Sequence, residues 1–409
     1  MKTKSLLTTL VASASLFAIA ASADAQEPTE LTWLMWSSSD EQTAAWQHVA
    51  DLVNKQHPEI TVELQTTNWA DYWTKLPTLA ASGQLPDIVS LQSLRAPGFA
   101  QIMDPLNPYI EESGFDIEAF DQSIIDGLSK DGSIFALPYD FGPIVVYYNK
   151  DRFEEAGVPL PSADWTYDEF LSAARALTTD GKYGFAVTAM GYIPFALSAG
   201  ANYLTEDGEL NFEDPKLQAA FQQYADLAAK EKVAPVIAAS GTMSNQIASG
   251  RFQSGDVAMF TTGPWELINQ KNKTDFTIGL APIPAGEAGS VTTSAGSGFG
   301  IAKDSDKKEE AWKAIQILTG PEAEQYLASA GRAFTGRIAE QKYWYENAAS
   351  DVVNAKPALE KALEQAVPYT TTTNWNSVEM LHEQYAPLAY SGSESGEEVL
   401  NTISTLVEE

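Results

Sequence analysis

The stretch that decides the fold begins with Leu31-Thr-Trp-Leu-Met-Trp36 and ends with Asp87-Ile-Val89. Its first six residues are apolar apart from one threonine, which predicts a short buried strand. A helix is expected next, because Ser39 and the glutamine three residues later have the spacing of a capping box. The alternating segment 60–65 predicts a second strand and residues 69–82 a second helix, before the third strand starts at Asp87. Strands and helices that alternate in this way are typical of a parallel α/β sheet.

Three aromatic residues stand next to turn residues at the ends of predicted strands. Ligands of open α/β sheets bind beyond the carboxyl ends of the strands. The candidate site loops are therefore residues 36–40, 90–95, 139–142 and 263–265. Trp36, Tyr139 and Trp265 lie in these loops, and the proline before Trp265 suits the first turn of a helix. Indole and phenol faces stack on the C–H patches of sugar rings, so these positions indicate a carbohydrate site; the alternative is that the three rings fill the core.

Composition and charge exclude several classes of protein. The chain has 409 residues, 25 basic and 55 acidic side chains, and a formal net charge of −30. Nucleic acids and anionic membranes both repel such a surface. The 44% of apolar and 11% of aromatic residues argue against disorder. The length suggests two or three domains, or two large lobes.

The first 25 residues have the pattern of a secretory signal peptide. Lys2 and Lys4 precede an apolar run over residues 6–21, and Ala23-Asp-Ala25 supplies a small-residue cleavage site. No later stretch has enough uninterrupted apolar residues to span a bilayer. The chain has no cysteine, and so neither a disulfide framework nor a thiol for a lipid anchor. We expect a soluble protein in a bacterial periplasm.

The motifs of several chemistries are missing from the sequence. It contains no P-loop, zinc-protease, paired-cysteine or nucleophile-elbow motif. The run Gly296-Ser-Gly-Phe-Gly300 lacks the third glycine at the spacing of a dinucleotide loop. No calcium-loop pattern occurs, and the three histidines are more easily explained as core or surface residues. We therefore predict no cofactor, no bound metal and no catalytic residue.

Short runs of residues along most of the chain carry a resemblance to a known family. They are Leu79–Ile88, Ala136–Asp140, Tyr147–Lys150, Trp165–Phe170, Phe252–Met259, Gly263–Trp265 and Ser297–Ile301. In this order and spacing the chain resembles the family 1 extracellular solute-binding proteins. These are the sugar-binding components of bacterial ABC importers and are related to maltodextrin-binding protein.

The strand-end pattern and the resemblance together predict a set of ligand-binding residues, most of them in loops that follow strands. They are Trp36, Asp40, Trp69, Gln92, Tyr139, Asp140, Tyr192, Trp265, Ser297, Gly298, Arg332 and Trp375. Leu91 stands where relatives often carry a stacking aromatic residue, so we expect Gln92 to donate a hydrogen bond there instead. Phe334 replaces a proline that relatives often have, which leaves open whether Arg332 or Arg337 reaches the ligand.

The resemblance also implies the architecture and the function. It implies an α/β periplasmic-binding-protein fold with two lobes, joined by crossovers near residues 140–143, 281–284 and 318–321. The first lobe would hold residues 26–140 and 284–318, and the second residues 143–281 and 321–409. The expected function is to capture a mono- or oligosaccharide in the cleft, as a monomer, and deliver it to an inner-membrane ABC permease.

Two other functions remain open from the sequence. The ligand of the same transport role is alternatively a polyol, a sugar acid or a glycerophosphodiester. A tightly bound anion would need an arginine in the cleft, and Arg95, Arg332 and Arg337 are the arginines near predicted site loops. The second alternative is a secreted carbohydrate-active enzyme, which turnover of the sugar would distinguish from a binding protein.

Overall fold

The structure is a computed structural model and describes residues 28–179, 181–238 and 242–408. The expected signal peptide over residues 1–25 lies outside the described residues. Within the described ranges, no helix combines the length and the apolar character that crossing a membrane requires.

Strands and helices are distributed along the whole described chain. The strands are β1 Thr29–Trp36, β2 Ile60–Thr67, β3 Ile88–Gln92, β4 Met103–Asp104, β5 Ser129–Lys130, β6 Ser133–Ile134, β7 Leu137–Pro143, β8 Val145–Asn149, β9 Met259–Thr262, β10 Ile278–Ala281, β11 Thr292–Ala302 and β12 Ala366–Pro368. The first helices are α1 Asp40–Gln56, α2 Trp69–Ala81, α3 Ala96–Phe99, α4 Asn107–Ser113, α5 Gln122–Gly127, α6 Lys150–Glu155, α7 Tyr167–Ala176, α8 Tyr192–Ser198 and α9 Pro215–Ala229. They are followed by α10 Ser244–Gln253, α11 Leu267–Lys273, α12 Lys308–Leu318, α13 Pro321–Ser329, α14 Gln341–Tyr343, α15 Ala355–Glu364, α16 Trp375–Ser391 and α17 Gly396–Glu408.

The larger sheet has the parallel centre that the sequence predicts. Its strand order is β12-β11-β3-β1-β2, and β4 and β7 also pair with β11. β1 lies parallel to both β2 and β3, and the predicted order β1-α1-β2-α2-β3 is confirmed. β11 runs antiparallel to β3 and to β7, so the sheet is mixed rather than purely parallel. We call the part of the molecule built around this sheet the first lobe.

The start of α1 differs in detail from the predicted capping box. The Ser39 side chain caps the helix by accepting from the Gln42 amide N–H at 3.2 Å. The Gln42 side chain, however, accepts from the backbone N–H of Ser38 at 3.0 Å rather than from that of Ser39. The helix then buries the predicted apolar face, with Trp46 and Val49 at 0% exposure, against the sheet. The capping bonds and the buried face of α1 together fix the position of the polar turn that follows β1.

A smaller sheet forms the framework of the second lobe. Its order is β10-β8-β9, all antiparallel, and alternate residues of β8 are buried on opposite faces. Tyr147 belongs to the hydrophobic core that continues from the larger sheet, whereas Tyr148 belongs to a second core with α9, α16 and α17. The chain passes between the sheets from β7 to β8 and again from β10 to β11. The exact lobe boundaries stay a prediction.

Candidate ligand-binding cleft

A cavity of about 240 Å³ lies between the two lobes, with walls from both sheets. It collects eight of the twelve predicted ligand-binding residues. They are Trp36, Trp69, Gln92, Tyr139, Asp140, Trp265, Ser297 and Arg332. These residues come from β1, α2, β3, β7, β11 and the segments that follow β9 and α13, and only the tertiary fold brings them together.

The structure places the other four residues outside this cavity. Asp40 is the first residue of α1 and is exposed to solvent. Tyr192 is fully buried and hydrogen-bonds to His382 at 3.2 Å, while its neighbours Gly191 and Pro194 line the cavity. Gly298 lies in β11 between two paired strands, and Trp375 is 1% exposed.

Packing explains why the buried members of this group do not reach the cavity. Trp375 is covered by two tyrosine rings, Tyr203 and Tyr369, with centroids 5.6 and 5.8 Å away. A Cβ on Gly298 would lie 2.4 Å from the Leu137 carbonyl oxygen, so this glycine permits close strand contact. These residues stand in segments close to the cleft, but their surroundings are core or neighbouring strands.

The two lobes differ in how they present their indoles to the cleft. Trp36 is 6% exposed, because Trp69, Tyr72 and Trp73 surround it with ring centroids 5.0 to 5.6 Å away. Trp69 itself is half-buried and lines the cavity, so its indole is more accessible to a ligand than that of Trp36. The Trp36 ring packs against the Trp69 ring.

Trp265 is the corresponding indole of the second lobe. It is half-buried in the single turn Pro264–Glu266 that joins β9 to α11, as the proline predicts. A Cβ on Gly263 would come within 2.2 Å of the indole Cη2, so a residue without a side chain is required beneath the ring. The local sequence thus fixes this indole at the cavity wall.

A buried acidic and basic pair forms the floor of the cleft. Asp140 accepts a hydrogen bond from the Ser297 N–H at 2.8 Å and lies 3.7 Å from the Arg332 guanidinium. Arg332 in turn donates to the Tyr139 hydroxyl at 3.3 Å and stacks on the Trp46 ring at 4.3 Å. Burial raises the pKa of Asp140 to about 7, because the loss of hydration outweighs the attraction of Arg332 and the hydrogen bonds from Ser297.

Two buried polar atoms in the cavity wall have no hydrogen-bond partner within the described part of the chain. They are the Thr293 hydroxyl and Nε of Arg332. Buried polar groups are nearly always paired, and an unpaired one costs free energy. Either atom would gain a partner if a water molecule or an oxygen atom of a ligand reached it.

Sequence reasoning missed several residues of the cleft. Thr293, Glu266 and Glu379 line it, as do Thr188 and Asn245. A period-2 analysis of β11 could have found Thr293, since it lies on the same strand face as Ser297. Nothing local marks Glu379, which lies in α16 and reaches the same cavity as Tyr369, ten positions earlier in the chain.

The arrangement supplies what a polar ring-shaped solute needs, namely apolar faces and many hydrogen-bonding groups. The described residues include no cluster of three or more side chains suited to holding a metal ion. A ligand cleft between two α/β lobes with these groups defines the class: a two-lobed solute-binding protein.

Comparison with known proteins identifies the family. The family model described as bacterial extracellular solute-binding protein matches residues 36–325, and the chain belongs to this family. An ABC substrate-binding protein from Listeria monocytogenes, solved in complex with cycloalternan, superposes with a TM-score of 0.85 at 26% identity over 93% of this chain and 98% of that chain.

Two curated relatives differ in the solute that their names give. A lactose-binding protein from Rhizobium radiobacter is 27% identical over 284 residues, 66% of this chain and 65% of that protein. An sn-glycerol-3-phosphate-binding periplasmic protein from Rhizobium meliloti (strain 1021) is 25% identical over 329 residues, 71% and 70% of the two chains. The chain is therefore similar to binding proteins for neutral and for anionic solutes.

Proposed function

We propose that the protein captures a neutral carbohydrate in the periplasm and delivers it to an inner-membrane ABC permease. The observation that carries the proposal is the pair of half-buried indoles, Trp69 and Trp265, which line one cavity from the two lobes. Indole faces of this kind stack on sugar rings, and the polar groups between them suit sugar hydroxyls. The relatives named for lactose and for bound cycloalternan support the same class of solute.

The charges of the cleft favour a neutral solute over an anion. Arg332 lies beside Asp140, and Arg95 forms an ion pair with Glu379. Glu266 also lines the cavity. Since each of these two arginines already has an acidic partner, a phosphate or a sugar acid would have to compete with Asp140 or Glu379 for its cation.

Arg337, the third arginine considered from the sequence, supports the same conclusion. Its Nε donates to the Thr319 carbonyl at 2.8 Å, and its guanidinium stacks on the Phe120 ring at 4.8 Å. It does not line the cavity. The relative named for glycerol 3-phosphate keeps the anionic alternative as the second candidate.

A thermal-shift screen tests the proposal on the signal-free protein. The panel contains lactose, maltose, cycloalternan and arabino-oligosaccharides, with glycerol 3-phosphate and galacturonate as the anionic arm. A solute at a hundred times its Kd should stabilise the folded protein by about 2.7 kcal/mol, so a neutral hit should raise the melting temperature by several degrees. A shift with the anions alone would replace the proposal by the second candidate.

A separate measurement distinguishes binding from catalysis. The sugar that stabilises the protein is incubated with it at equimolar concentration and recovered by chromatography. A binding protein returns the sugar unchanged, as membership in a solute-binding family leads us to expect. Conversion of the sugar at a rate that scales with protein concentration would contradict the proposal and favour a carbohydrate-active enzyme.

A further inference from the structure

Arg95 is a buried cation immediately behind the first-lobe wall of the cleft. It follows β3 and is 4% exposed. Its guanidinium lies over the rings of Trp73 and Trp69, at 4.4 and 5.1 Å from their centroids. It also donates to the side-chain oxygen of Gln92. A single cation thus contacts two groups that face the cavity, the Trp69 indole and the Gln92 amide.

The carboxylate partner of Arg95 comes from the other lobe. Glu379 lies in α16, whose residues Trp375 and Val378 are buried in the second hydrophobic core; Leu94, directly before Arg95, reaches the same core from the first-lobe side. Its carboxylate accepts from Arg95 while the same residue lines the cavity. Asn376, one helical turn before it, accepts from Nε of Arg95 at 3.4 Å. The contact therefore joins the two lobes at the ligand site itself.

The free energy of this contact depends on how well Arg95 is hydrated after the cleft opens and Glu379 moves away. An ion pair formed from two fully hydrated groups gains little, because desolvation offsets the attraction. Arg95 differs, since the rings of Trp69 and Trp73 in the first lobe lie over its guanidinium and reduce its contact with water. Opening would remove Glu379 and leave a shielded cation with the neutral Gln92 as its nearest partner. Closure therefore compensates a charge whose hydration is already reduced.

We propose that Arg95 is a positioning residue that ties the lobes together through Glu379 and fixes Trp69 and Gln92 at the same time. Closure of the cleft would then also fix the positions of Trp69 and Gln92 in the first-lobe wall. The tie does not depend on which solute is bound, so it goes beyond the proposed function. Other contacts between the lobes remain when Arg95 is changed, among them the hydrogen bond from Asn269 to the Ser38 hydroxyl at 3.2 Å and that from Thr371 to the Leu94 carbonyl at 2.6 Å.

Interlobe distances in the solute-free protein test the tie. The chain has no cysteine, so Lys75→Cys on α2 and Glu206→Cys in the second lobe accept spin labels without competing thiols. Distance distributions are measured by double electron–electron resonance for the labelled parent, Arg95→Gln and Glu379→Gln. We expect the short-distance population to fall at least threefold in either variant. An unchanged distribution in both would overturn the proposal.

Control variants and a double variant complete the experiment. Arg175 and Glu231 form an ion pair with a half-exposed arginine away from the cleft, so Arg175→Gln should leave the distances unchanged. Since a single change at Arg95 or Glu379 leaves one buried charge, the variant with both glutamines keeps the experiment decisive if a single variant unfolds. It should fold and still show the longer distances.

The coupling between the two residues is measured by denaturant unfolding of the parent, both single variants and the double variant. Each single change should lower the ratio of folded to unfolded protein. The double variant should lower this ratio at least tenfold less than the product of the two single effects predicts. Additive effects would show that the pair does not form in solution and would overturn the proposal. No solute is present in these measurements, so a failed sugar screen and a failed tie are separate results.

Discussion

Trp265 is the residue whose replacement separates a ligand platform from core packing. Its indole is half-buried at the cavity wall. Trp265→Ala should weaken sugar binding about thirtyfold, which corresponds to a loss of roughly 2 kcal/mol, because the stacking face is removed. The melting temperature without sugar should change little. Calorimetric titration and thermal unfolding of the same variant measure both quantities.

A buried tryptophan is the matched control for this experiment. Trp344 has 0% exposure, and Trp344→Ala should cost roughly 3–5 kcal/mol of stability while the folded fraction keeps its affinity. If Trp265→Ala behaves like Trp344→Ala, its indole is part of the core and the assignment as a platform is wrong.

Substitutions at Thr293 test whether an unpaired buried hydroxyl forms a hydrogen bond with the ligand. Thr293 is a lining residue of the cavity, and its Oγ1 is buried with no hydrogen-bond partner in the described ranges. Thr293→Val keeps the shape and removes the hydroxyl, so affinity should fall about fivefold, as for one net hydrogen bond of about 1 kcal/mol. Stability without sugar should stay equal or rise, because an unsatisfied group is removed. Thr293→Ser should retain the affinity; equal binding by both variants would contradict the assignment.

Asp140 predicts a specific pH dependence of stability. Burial raises its pKa from an ordinary value of 3.8 to about 7 in the folded protein. Between about pH 4 and pH 7 the folded protein therefore holds a proton that the unfolded chain has released, and this group makes the free energy of unfolding fall as pH rises. Asp140→Asn should reduce that fall when urea unfolding is measured at pH 5 and pH 7.

The same comparison contains its own check. The pKa of Glu383 is also raised to about 7 by burial, and this group titrates in both proteins. The parent and the variant should thus both lose stability toward pH 7, the parent more steeply. Parallel pH profiles would show that Asp140 is not the proton-binding group in this window.

At the scale of elements, β11 determines how the sheet closes around the cleft floor. It pairs with β3 on one side and β7 on the other. Gly298 allows β7 to approach, and a Cβ there would meet the Leu137 carbonyl oxygen at 2.4 Å and the Leu128 side chain at 2.8 Å. Gly298→Ala should destabilise the protein by roughly 1–3 kcal/mol, the usual range for overpacking.

Replacing a second glycine by alanine should change the stability in the opposite direction. Gly250 lies in α10, and a Cβ there has no atom within 4 Å. Gly250→Ala should stabilise the protein by up to about 1 kcal/mol through helix propensity. Denaturant unfolding of both variants measures the contrast, and equal effects at the two glycines would contradict the role given to the close contact between β7 and β11.

At the scale of the whole molecule, the net charge of −30 predicts a dependence on salt. Like charges repel one another in the folded state, and salt shortens the range of this repulsion to roughly 10 Å at 0.1 M. The melting temperature should rise as NaCl increases from low to seawater-like concentration. KCl at equal ionic strength should have the same effect if screening is the cause. A flat or falling melting temperature would contradict the prediction.

The affinity for the solute provides a further result from the same titration. A neutral sugar has no net charge to screen, so its Kd should stay nearly constant over that range of salt. A steep loss of affinity would favour the anionic candidate, because screening weakens the attraction between an anion and the arginines of the cleft. The same salt titration therefore tests both the repulsion between surface charges and the charge of the solute.

Much of the larger sheet could be predicted from sequence because its signals are local. The apolar run of β1, the serine at the start of α1 and the alternation in β2 depend on residues within a few positions of one another. The position of Trp265 is of the same kind, since the preceding glycine and proline set the turn that holds it. The details of α1 were wrong only in which backbone N–H the Gln42 side chain reaches.

The side chains that face the cleft, and the partners they have there, depend on the tertiary structure. Tyr192 and Trp375 stand in the expected segments, but aromatic rings from distant parts of the chain cover them. The partners of Asp140 and Arg95 lie in other elements, with Arg95 and Glu379 separated by 284 positions. Periodicity and turn chemistry determine local conformation, whereas burial, pairing and pKa are set by neighbours in space, which the sequence alone does not place.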